Sequence, residues 1–258
     1  MLATLYLVSF GVLGGLAAYR LEQFSRQVFL RERQLDQERE RSDGLLLNIL
    51  PQAIIEQLKT SSGARIAQAF DQVTMIIADA VGSTEQGARS SPEEFAGALD
   101  ELFRRFDQIA DRHGLEKIKT IGDAYMAVAG APVPMANGAG ATVAMALEIL
   151  AEAGQVRWPS GDPIQVRVGV ATGPAVAGII GYRKFAYDLW GDTVNLASRL
   201  QECAETGQVL ASEPTARQLD DRYAFGPTQT VDLKGKGPTP ARVLLGRHTD
   251  VPITVPSA

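Results

Sequence analysis

The sequence has too few cysteine and histidine residues for several common kinds of site. Its 258 residues include one cysteine, Cys203, and two histidines, His113 and His248. They cannot form a disulfide framework or a zinc site made of cysteine and histidine, and they leave little for cysteine-histidine nucleophilic chemistry. Cys203 alone does not decide whether the protein lies in an oxidising or a reducing compartment.

The sequence also lacks an excess of positive charge. It has 25 lysine and arginine residues against 30 aspartate and glutamate residues, which gives a formal net charge of -5. Proteins that neutralise nucleic-acid phosphates are usually basic, so we expect no nucleic-acid partner and, at most, a small nucleotide ligand. Hydrophobic residues make up 45% of the chain, which excludes a disordered or collagen-like protein.

Charged side chains are absent from the first 19 residues, MLATLYLVSFGVLGGLAAY. A helix of about 20 apolar residues crosses the hydrocarbon core of a bilayer, so residues 1–19 are predicted to form a transmembrane helix. A secretory signal peptide is the alternative, but no basic segment precedes the apolar run and no small-residue cleavage pattern follows it. Arginines follow from Arg20 onward, which predicts a cell-membrane protein whose remaining chain is cytoplasmic. The number of membrane helices in the natural protein stays open.

Residues 20–67 are predicted to form a helical signalling linker. Leu21, Val28 and Leu35 recur at heptad spacing within a run of mixed charge. This pattern fits both a parallel dimeric coiled coil and an isolated solvated helix. The Ser-Asp-Gly sequence at 42–44 is predicted to interrupt the helix, and the sequence SSGARIAQAF that ends in Phe70 is predicted to form a loop or hinge.

Residues 68–247 are predicted to form one α+β domain, followed by a tail over residues 248–258. Short apolar runs rich in β-branched residues predict strands, and apolar residues at helical spacing predict helices. Together they predict helices packed against one mainly antiparallel sheet. The predicted strands cover residues 73–78, 115–120, 124–129, 164–171 and 208–211, with further short strands between 222 and 245, and the predicted helices cover residues 91–112, 138–153 and 193–203.

Two aspartates stand where predicted strands end. Asp79 follows the apolar run of residues 73–78, and Asp123 lies at the tip of a predicted hairpin. If the strands are neighbours, the two carboxylates form a pair of the kind that binds Mg²⁺ or Mn²⁺. Either aspartate alone would more often serve turn geometry than metal binding.

A glycine turn and a polar helix face supply further candidate residues. Gly82, Ser83 and Thr84 follow the first aspartate in a turn whose backbone N–H groups suit a phosphate, although the same sequence fits an ordinary loop. Asn195 and Arg199 are four residues apart in a predicted helix, so both side chains leave the same face. They suit a ribose and a phosphate, or they form a plain polar surface.

The surroundings of these residues resemble the class III nucleotide cyclases. Four segments carry the resemblance in the order of the family: VTMIIADAVGST with Asp79, KIKTIGDAYMAVAG with Lys119 and Asp123, FAYDLWGDTVNLASRL with Asp188, Asn195 and Arg199, and VDLKGKG with Lys234. They cover about residues 68–247, and DLWGDTVNLASR is the most specific of them. The resemblance implies an α+β, ferredoxin-like catalytic domain.

The resemblance implies a metal site and groups that act on the phosphates. Aspartates matching Asp79 and Asp123, with the backbone carbonyl matching Ala80, hold two Mg²⁺ or Mn²⁺ ions per active site for phosphoryl transfer. Asn195 would orient the ribose. Arg199 would stabilise the charge that develops on the transferring phosphoryl group.

The resemblance also implies residues that read the base. Lys119 would contact ring N1 of adenine, and Asp188 would accept from its exocyclic amine. Guanylyl cyclases usually carry Glu and Cys at these positions, so this pair favours ATP. Lys234, or alternatively its neighbour Lys236, would contact the terminal phosphates.

The implied protein is a membrane-anchored adenylate cyclase that converts ATP to 3′,5′-cyclic AMP and pyrophosphate. Family sites combine metal aspartates of one chain with the ribose and phosphate helix of the other, which implies a homodimer with composite active sites. A guanylate cyclase and a catalytically degenerate sensing or dimerisation module are the alternatives. The hypothesis of a catalytically degenerate module rests on Ala80 and Ser83, because the family usually has Ile and Phe at these positions. Loss of the aromatic side chain at Ser83 is expected to loosen the loop around the phosphates.

Overall fold

The computed structural model describes residues 2–47, 49–60, 66–181, 185–219, 221–233 and 235–248. The chain divides into two compact units, Met1–Ile55 and Glu56–Ala258. The described helices are α1 (Leu2–Leu47), α2 (Gln52–Thr60), α3 (Ser83–Arg89), α4 (Pro92–His113), α5 (Gly138–Ala153), α6 (Asp192–Cys203) and α7 (Glu213–Arg217). The described strands are β1 (Ala67–Ala80), β2 (Glu116–Ile121), β3 (Ala124–Ala129), β4 (Val166–Ile179), β5 (Tyr187–Trp190), β6 (Val209–Ser212), β7 (Tyr223–Phe225), β8 (Gln229–Leu233) and β9 (Gly237–Arg247).

The long helix α1 covers more than half of residues 20–67, and the role of this segment as a signalling linker stays a prediction. The helix continues through residues 42–44, so the predicted interruption there is wrong. A glycine in a helix interior reduces helix stability by about 1 kcal/mol relative to alanine. This is a small loss for a helix of 46 residues. The heptad side chains Leu21, Val28 and Leu35 are exposed in this single chain. Their pairing in a coiled coil stays a prediction.

The transmembrane helix predicted for residues 1–19 is not supported. In the part of the chain that the structure describes, no helix combines the length and the apolarity needed to cross a bilayer. The helix that contains this segment does not end with the apolar run. It continues past Arg20 and through the charged sequence that follows.

One sheet organises the second unit. Among the described residues its strand order is β2-β3-β1-β4-β6-β9-β7, with β5 paired to β4 and β8 paired to β9. Every pair is antiparallel except β4 with β6. The prediction of a mainly antiparallel sheet in an α+β domain is therefore confirmed.

The central strand β1 begins earlier than its sequence pattern indicates. Residues 67–70, predicted as part of a loop, pair with residues 175–178 of β4. A β-carbon at Gly178 would clash with the backbone carbonyl of Ile66, so this pairing requires glycine. The predicted loop was wrong here because the pairing partner lies more than a hundred residues away. A short stretch rich in alanine and glutamine carries no local signal for it.

Helices cover both faces of the sheet. Val168 and Val170 of β4 lie in the main hydrophobic core with side chains of α4 and α5. Gly169 faces the opposite side, where a β-carbon would clash with the backbone of α6 at Ala197 and Gln201. The backbone of α6 therefore rests directly on β4. This contact places the helix that carries the predicted ribose and phosphate residues.

The start of α4 has the capping arrangement that its sequence predicts. The Ser91 hydroxyl accepts a hydrogen bond from the backbone N–H of Glu94 at 3.2 Å, and the Glu94 carboxylate accepts one from the backbone N–H of Ser91 at 3.2 Å. Pro92 follows at the first helical position, where a missing N–H costs nothing. These interactions fix the end of the helix that packs on α5.

A charge cluster joins the other end of α4 to α5. Arg112 donates to one oxygen of Glu148 at 2.5 Å, and His113 Nε2 lies 2.7 Å from the other oxygen. The Arg112 guanidinium and then His113 lower the pKa of Glu148 below its usual 4.5. A carboxyl group with a lowered pKa stabilises the fold at higher pH. That contribution is lost as the pH falls through the lowered pKa.

Exchanging Glu148 for Gln should therefore lower the free energy of unfolding at neutral pH and flatten its dependence on acid. We expect a loss of no more than about 1 kcal/mol, because the side chain is partly exposed to screening solvent. Thermal unfolding of both proteins from about pH 3 to about pH 7 measures the two effects. If the stability of both proteins fell equally steeply as the pH is lowered, the proposed contribution of Glu148 to stability would be contradicted.

Candidate active site

Asp79 and Asp123, the predicted metal pair, lie side by side at one end of the sheet. Asp79 is near the end of β1, where it pairs with Ala124 of β3. Asp123 lies in the turn between β2 and β3, and its backbone carbonyl accepts a hydrogen bond from the N–H of Ala80 at 3.3 Å. Besides burial, the nearby charge of Asp123 raises the pKa of Asp79, so the two carboxyl groups are close together. The condition set by the sequence, that the two strands are neighbours, is met.

Asp79 has a cationic partner that the sequence pattern does not predict. Arg167 of β4 donates from Nε and Nη2 to Oδ2 of Asp79 at 3.0 and 2.9 Å. Burial raises the pKa of Asp79 above its usual 3.8, and the charge of Asp123 adds to the rise, while Arg167 partly offsets it. The negative charge of the pair is thus incompletely balanced. In the sequence, Arg167 is distinguished only as a single basic residue within an apolar, alternating strand. The register of β1 with β4 is needed to show that it faces Asp79.

The donor set fits divalent cations that also bind a substrate. Carboxylate oxygens are the ligands that Mg²⁺ prefers, and Mg²⁺ usually keeps positions for water or phosphate oxygens. Among the described residues there is no group of three or more His, Cys, Asp or Glu able to enclose a metal ion. Asp79 and Asp123, with the backbone carbonyl of Ala80, are the oxygen donors at this end of the sheet that could hold such ions.

The turn after β1 leads directly into α3. Gly82 has φ of 78°, in the left-handed region that favours glycine, and Ser83 begins the helix. The Ser83 side chain is buried, and its hydroxyl donates to Oδ2 of Asp123. Thr84 is exposed. The turn is therefore tied to the hairpin by Ser83, which differs from the loosening expected from the missing aromatic side chain.

Lys119 and Asp188, the predicted base-reading residues, form an ion pair. Nζ of Lys119 on β2 lies 2.5 Å from Oδ2 of Asp188 on β5. Oδ1 of Asp188 accepts the backbone N–H of Leu189 at 2.9 Å, which fixes the carboxylate orientation. The pair places a charged donor next to a charged acceptor, and both side chains are partly exposed. A planar ring with a matching acceptor and donor is a suitable ligand for it.

Asn195 and Arg199 both lie on α6, as predicted. Asn195 is exposed, and Arg199 is half-buried. The Arg199 guanidinium lies over Gly235 in the turn between β8 and β9, where a β-carbon would stand 3.7 Å from both of its terminal nitrogens. The guanidinium and this turn are therefore neighbours.

The same turn is joined to the start of α6. Lys236 donates to the carboxylate of Asp192, the first residue of the helix. Lys236, the alternative phosphate contact, is therefore engaged with α6 in this structure. Lys234, the residue predicted to contact the terminal phosphates, lies outside the described residues.

The site residues form two groups within one chain. We call Asp79, Asp123, Arg167 and Ser83 the carboxylate half-site, and Lys119, Asp188, Asn195 and Arg199 the base half-site. Within the described ranges, no hydrogen bond or ion pair joins a member of one half-site to a member of the other. One half-site is rich in carboxylates, and the other combines basic and amide groups with a single carboxylate.

Residues 66–246 match the family described as the adenylate and guanylate cyclase catalytic domain. The chain belongs to the class III nucleotide cyclases. This confirms the resemblance carried by the four sequence segments. The cyclase fold accounts for the mixed α and β architecture of the second unit.

Relatives with both nucleotide specificities are similar to this cyclase. An adenylate cyclase of Mycobacterium tuberculosis is 40% identical over 213 residues, which cover 83% of this chain and 48% of the relative. Guanylate cyclase 2D of Rattus norvegicus is 38% identical over 227 residues, which cover 84% of this chain and 20% of the relative. The chain thus spans about half the length of the first relative and about a fifth of the second. Overall similarity does not select the nucleotide.

Solved cyclase domains share the fold. The guanylate cyclase domain of RhGC from Catenaria anguillulae, solved with GTP, is 31% identical, with a TM-score of 0.68 over 70% of this chain and 99% of that domain. The adenylyl cyclase CyaB from P. aeruginosa is 25% identical, with a TM-score of 0.66 over 72% and 98% of the two chains. A rhodopsin-guanylyl cyclase core with converted specificity, solved with ATPαS, is 32% identical, with a TM-score of 0.67 over 70% of this chain and 98% of that core.

Proposed function

We propose that this cyclase is an adenylate cyclase that converts ATP to 3′,5′-cyclic AMP and pyrophosphate. The ion pair of Lys119 and Asp188 carries the proposal. The lysine can donate to N1 of adenine, and the carboxylate can accept from the amino group. Guanine presents an N–H and a carbonyl oxygen at those positions, which would leave both charged groups without a partner. Unpaired polar groups in a site are a strong source of discrimination.

The residues of the two half-sites would have different roles in the reaction. The ribose 3′ hydroxyl loses its proton to solvent as its oxygen attacks the α-phosphorus, and the bond from the α-phosphorus to the pyrophosphate oxygen breaks. Divalent ions bound by Asp79 and Asp123 would supply Lewis-acid activation of the hydroxyl and neutralise phosphate charge. Arg199 would donate hydrogen bonds to the phosphoryl oxygens as their charge increases, and Asn195 would hold the ribose.

We further propose that two chains complete each active site. The carboxylate half-site of one chain would face the base half-site of its partner, and a two-fold dimer would contain two such sites. The presence of both half-sites in one chain supports this arrangement, because a two-fold axis would then create two equivalent sites. Anchoring to a cell membrane, with the catalytic domain in the cytoplasm, stays a prediction.

Product formation from ATP and from GTP, each with Mg²⁺ and with Mn²⁺, tests the proposal over a range of protein concentrations. Cyclic AMP formation, with specific activity that rises with protein concentration, is the expected result. Cyclic GMP as the main product would show that the base assignment is wrong. A folded dimer that makes neither product would instead support the non-catalytic sensing module.

Replacing Lys119 with Glu and Asp188 with Cys together should lower kcat/KM for ATP relative to GTP by about 10- to 100-fold, since mismatched polar groups reject a ligand on this scale. Both nucleotides are measured on the same preparation, so the ratio is independent of the folded fraction. An unchanged ratio would contradict the assignment of these residues to the base.

A further inference from the structure

Ser83 is a buried polar residue at the edge of the carboxylate half-site. It is 7% exposed, although it lies at the first position of a short helix that follows an exposed glycine. A buried hydroxyl without a partner costs free energy, so its hydrogen bond decides its role. That bond goes to the Asp123 carboxylate and not to the backbone of its own helix.

Helix capping does not account for Ser83. The residue at the N-cap of α3 is Gly82, and no side-chain hydrogen bond caps this helix. The turn at Gly82 instead directs the chain back toward the hairpin, where the carbonyl of Asp123 already accepts the N–H of Ala80. Asp123 is therefore held twice, through its backbone carbonyl by Ala80 at the end of β1 and through its side chain by Ser83 in the segment that follows.

The two carboxylates have partners of different charge. Asp79 has the Arg167 guanidinium, which must compete with any cation for the same carboxylate. Asp123 has the neutral Ser83 hydroxyl, which donates to one carboxylate oxygen and fixes it without adding positive charge. The orientation of Asp123 is thus set without reducing the attraction of the pair for a cation.

We propose that Ser83 is a positioning residue that orients Asp123 for binding a divalent cation. The inference deepens the proposed metal-dependent function and rests on it for its consequence in turnover. It replaces the sequence-based assignment of Ser83 to the phosphates with a role through Asp123. The serine hydroxyl at this position donates a hydrogen bond to Asp123. The phenylalanine usual in the family has no donor that could do so.

Binding of Mn²⁺ to the full chain without nucleotide, followed by the electron paramagnetic resonance signal of free Mn²⁺, tests the proposal. Ser83→Ala should weaken binding on the order of tenfold, the scale seen when an outer hydrogen-bond partner of a metal ligand is removed. Ser83→Thr keeps the hydroxyl and should restore binding to within about threefold of the wild type. Ser90→Ala removes a hydroxyl at the other end of α3 and serves as the matched control, with unchanged binding expected.

Two results would overturn the proposal: equal Mn²⁺ affinity in Ser83→Ala and Ser90→Ala, or weakened binding in a folded Ser83→Thr that matches the alanine variant. Should Ser83→Ala not fold, Ser83→Cys takes its place, because a thiol of similar size is a weak donor. Mn²⁺ binding reports on Ser83 even if the wild type forms no cyclic nucleotide. Failure of the proposed function and failure of this inference are therefore distinguishable.

Discussion

Exchanging Asp79 for Asn should reduce metal-dependent cyclic nucleotide formation by at least about a hundredfold, because a divalent ion supplies several kcal/mol of transition-state stabilisation. The fold should survive. The carbonyl oxygen of Asn can still accept from Arg167, and the neutral amide removes a charge that burial and Asp123 disfavour. We therefore expect a higher melting temperature for the variant in metal-free buffer, together with the lost activity.

Assays of turnover and thermal unfolding on the same samples check both parts of this prediction. Asp71→Asn is the matched control, since Asp71 lies on the same strand and is exposed. It should leave activity and melting temperature nearly unchanged. Retained activity in Asp79→Asn would remove Asp79 from the metal site, and a lower melting temperature would show that its charge stabilises the fold.

Replacing Gly169 with Ala should lower the free energy of unfolding by about 3 kcal/mol or more, which is at the upper end for a small-to-large change. The added methyl group would meet the backbone of α6 at the Ala197 carbonyl oxygen and the Gln201 nitrogen. Backbone atoms cannot rotate away as a side chain does. The helix must move off β4, and it takes Asn195 and Arg199 with it.

Chemical denaturation measures this loss, and Gly97→Ala is its control. Gly97 lies inside α4, where a β-carbon would have no neighbour within 4 Å. Alanine there should stabilise the fold by about 0.5–1 kcal/mol, because it restricts the unfolded chain and favours the helix. Similar stability changes in the two variants would show that α6 does not rest on Gly169.

The sequence predicts best those features that local pattern determines. The capped start of α4 and the β2–β3 hairpin follow from residues close together in the chain, and both are confirmed. Asp79 was assigned as a strand end for the same reason. The short elements β5 and α7 were not predicted, since four or five residues give too little periodicity.

Contacts between residues on neighbouring strands could not be predicted from the sequence. Arg167 faces Asp79 only because β4 pairs with β1 in one register, and a slip of one residue would turn it to the other side. The first residues of β1 depend on the same pairing. The sequence shows Ser83 only as a replacement for the aromatic residue usual in the family. Its hydrogen bond to Asp123 could not be predicted, because Asp123 lies 40 positions away in sequence.

The strand β4 connects residues of both half-sites. Arg167, near its first residue, belongs to the carboxylate half-site, while Gly178, near its last, pairs with Asp188 of the base half-site. In a dimer with composite sites, the two ends of this strand would serve different nucleotides. If nucleotide binding at one site displaced β4, the displacement would reach groups of the other site. Cooperativity between the two nucleotides would then arise within each chain, without a separate regulatory domain.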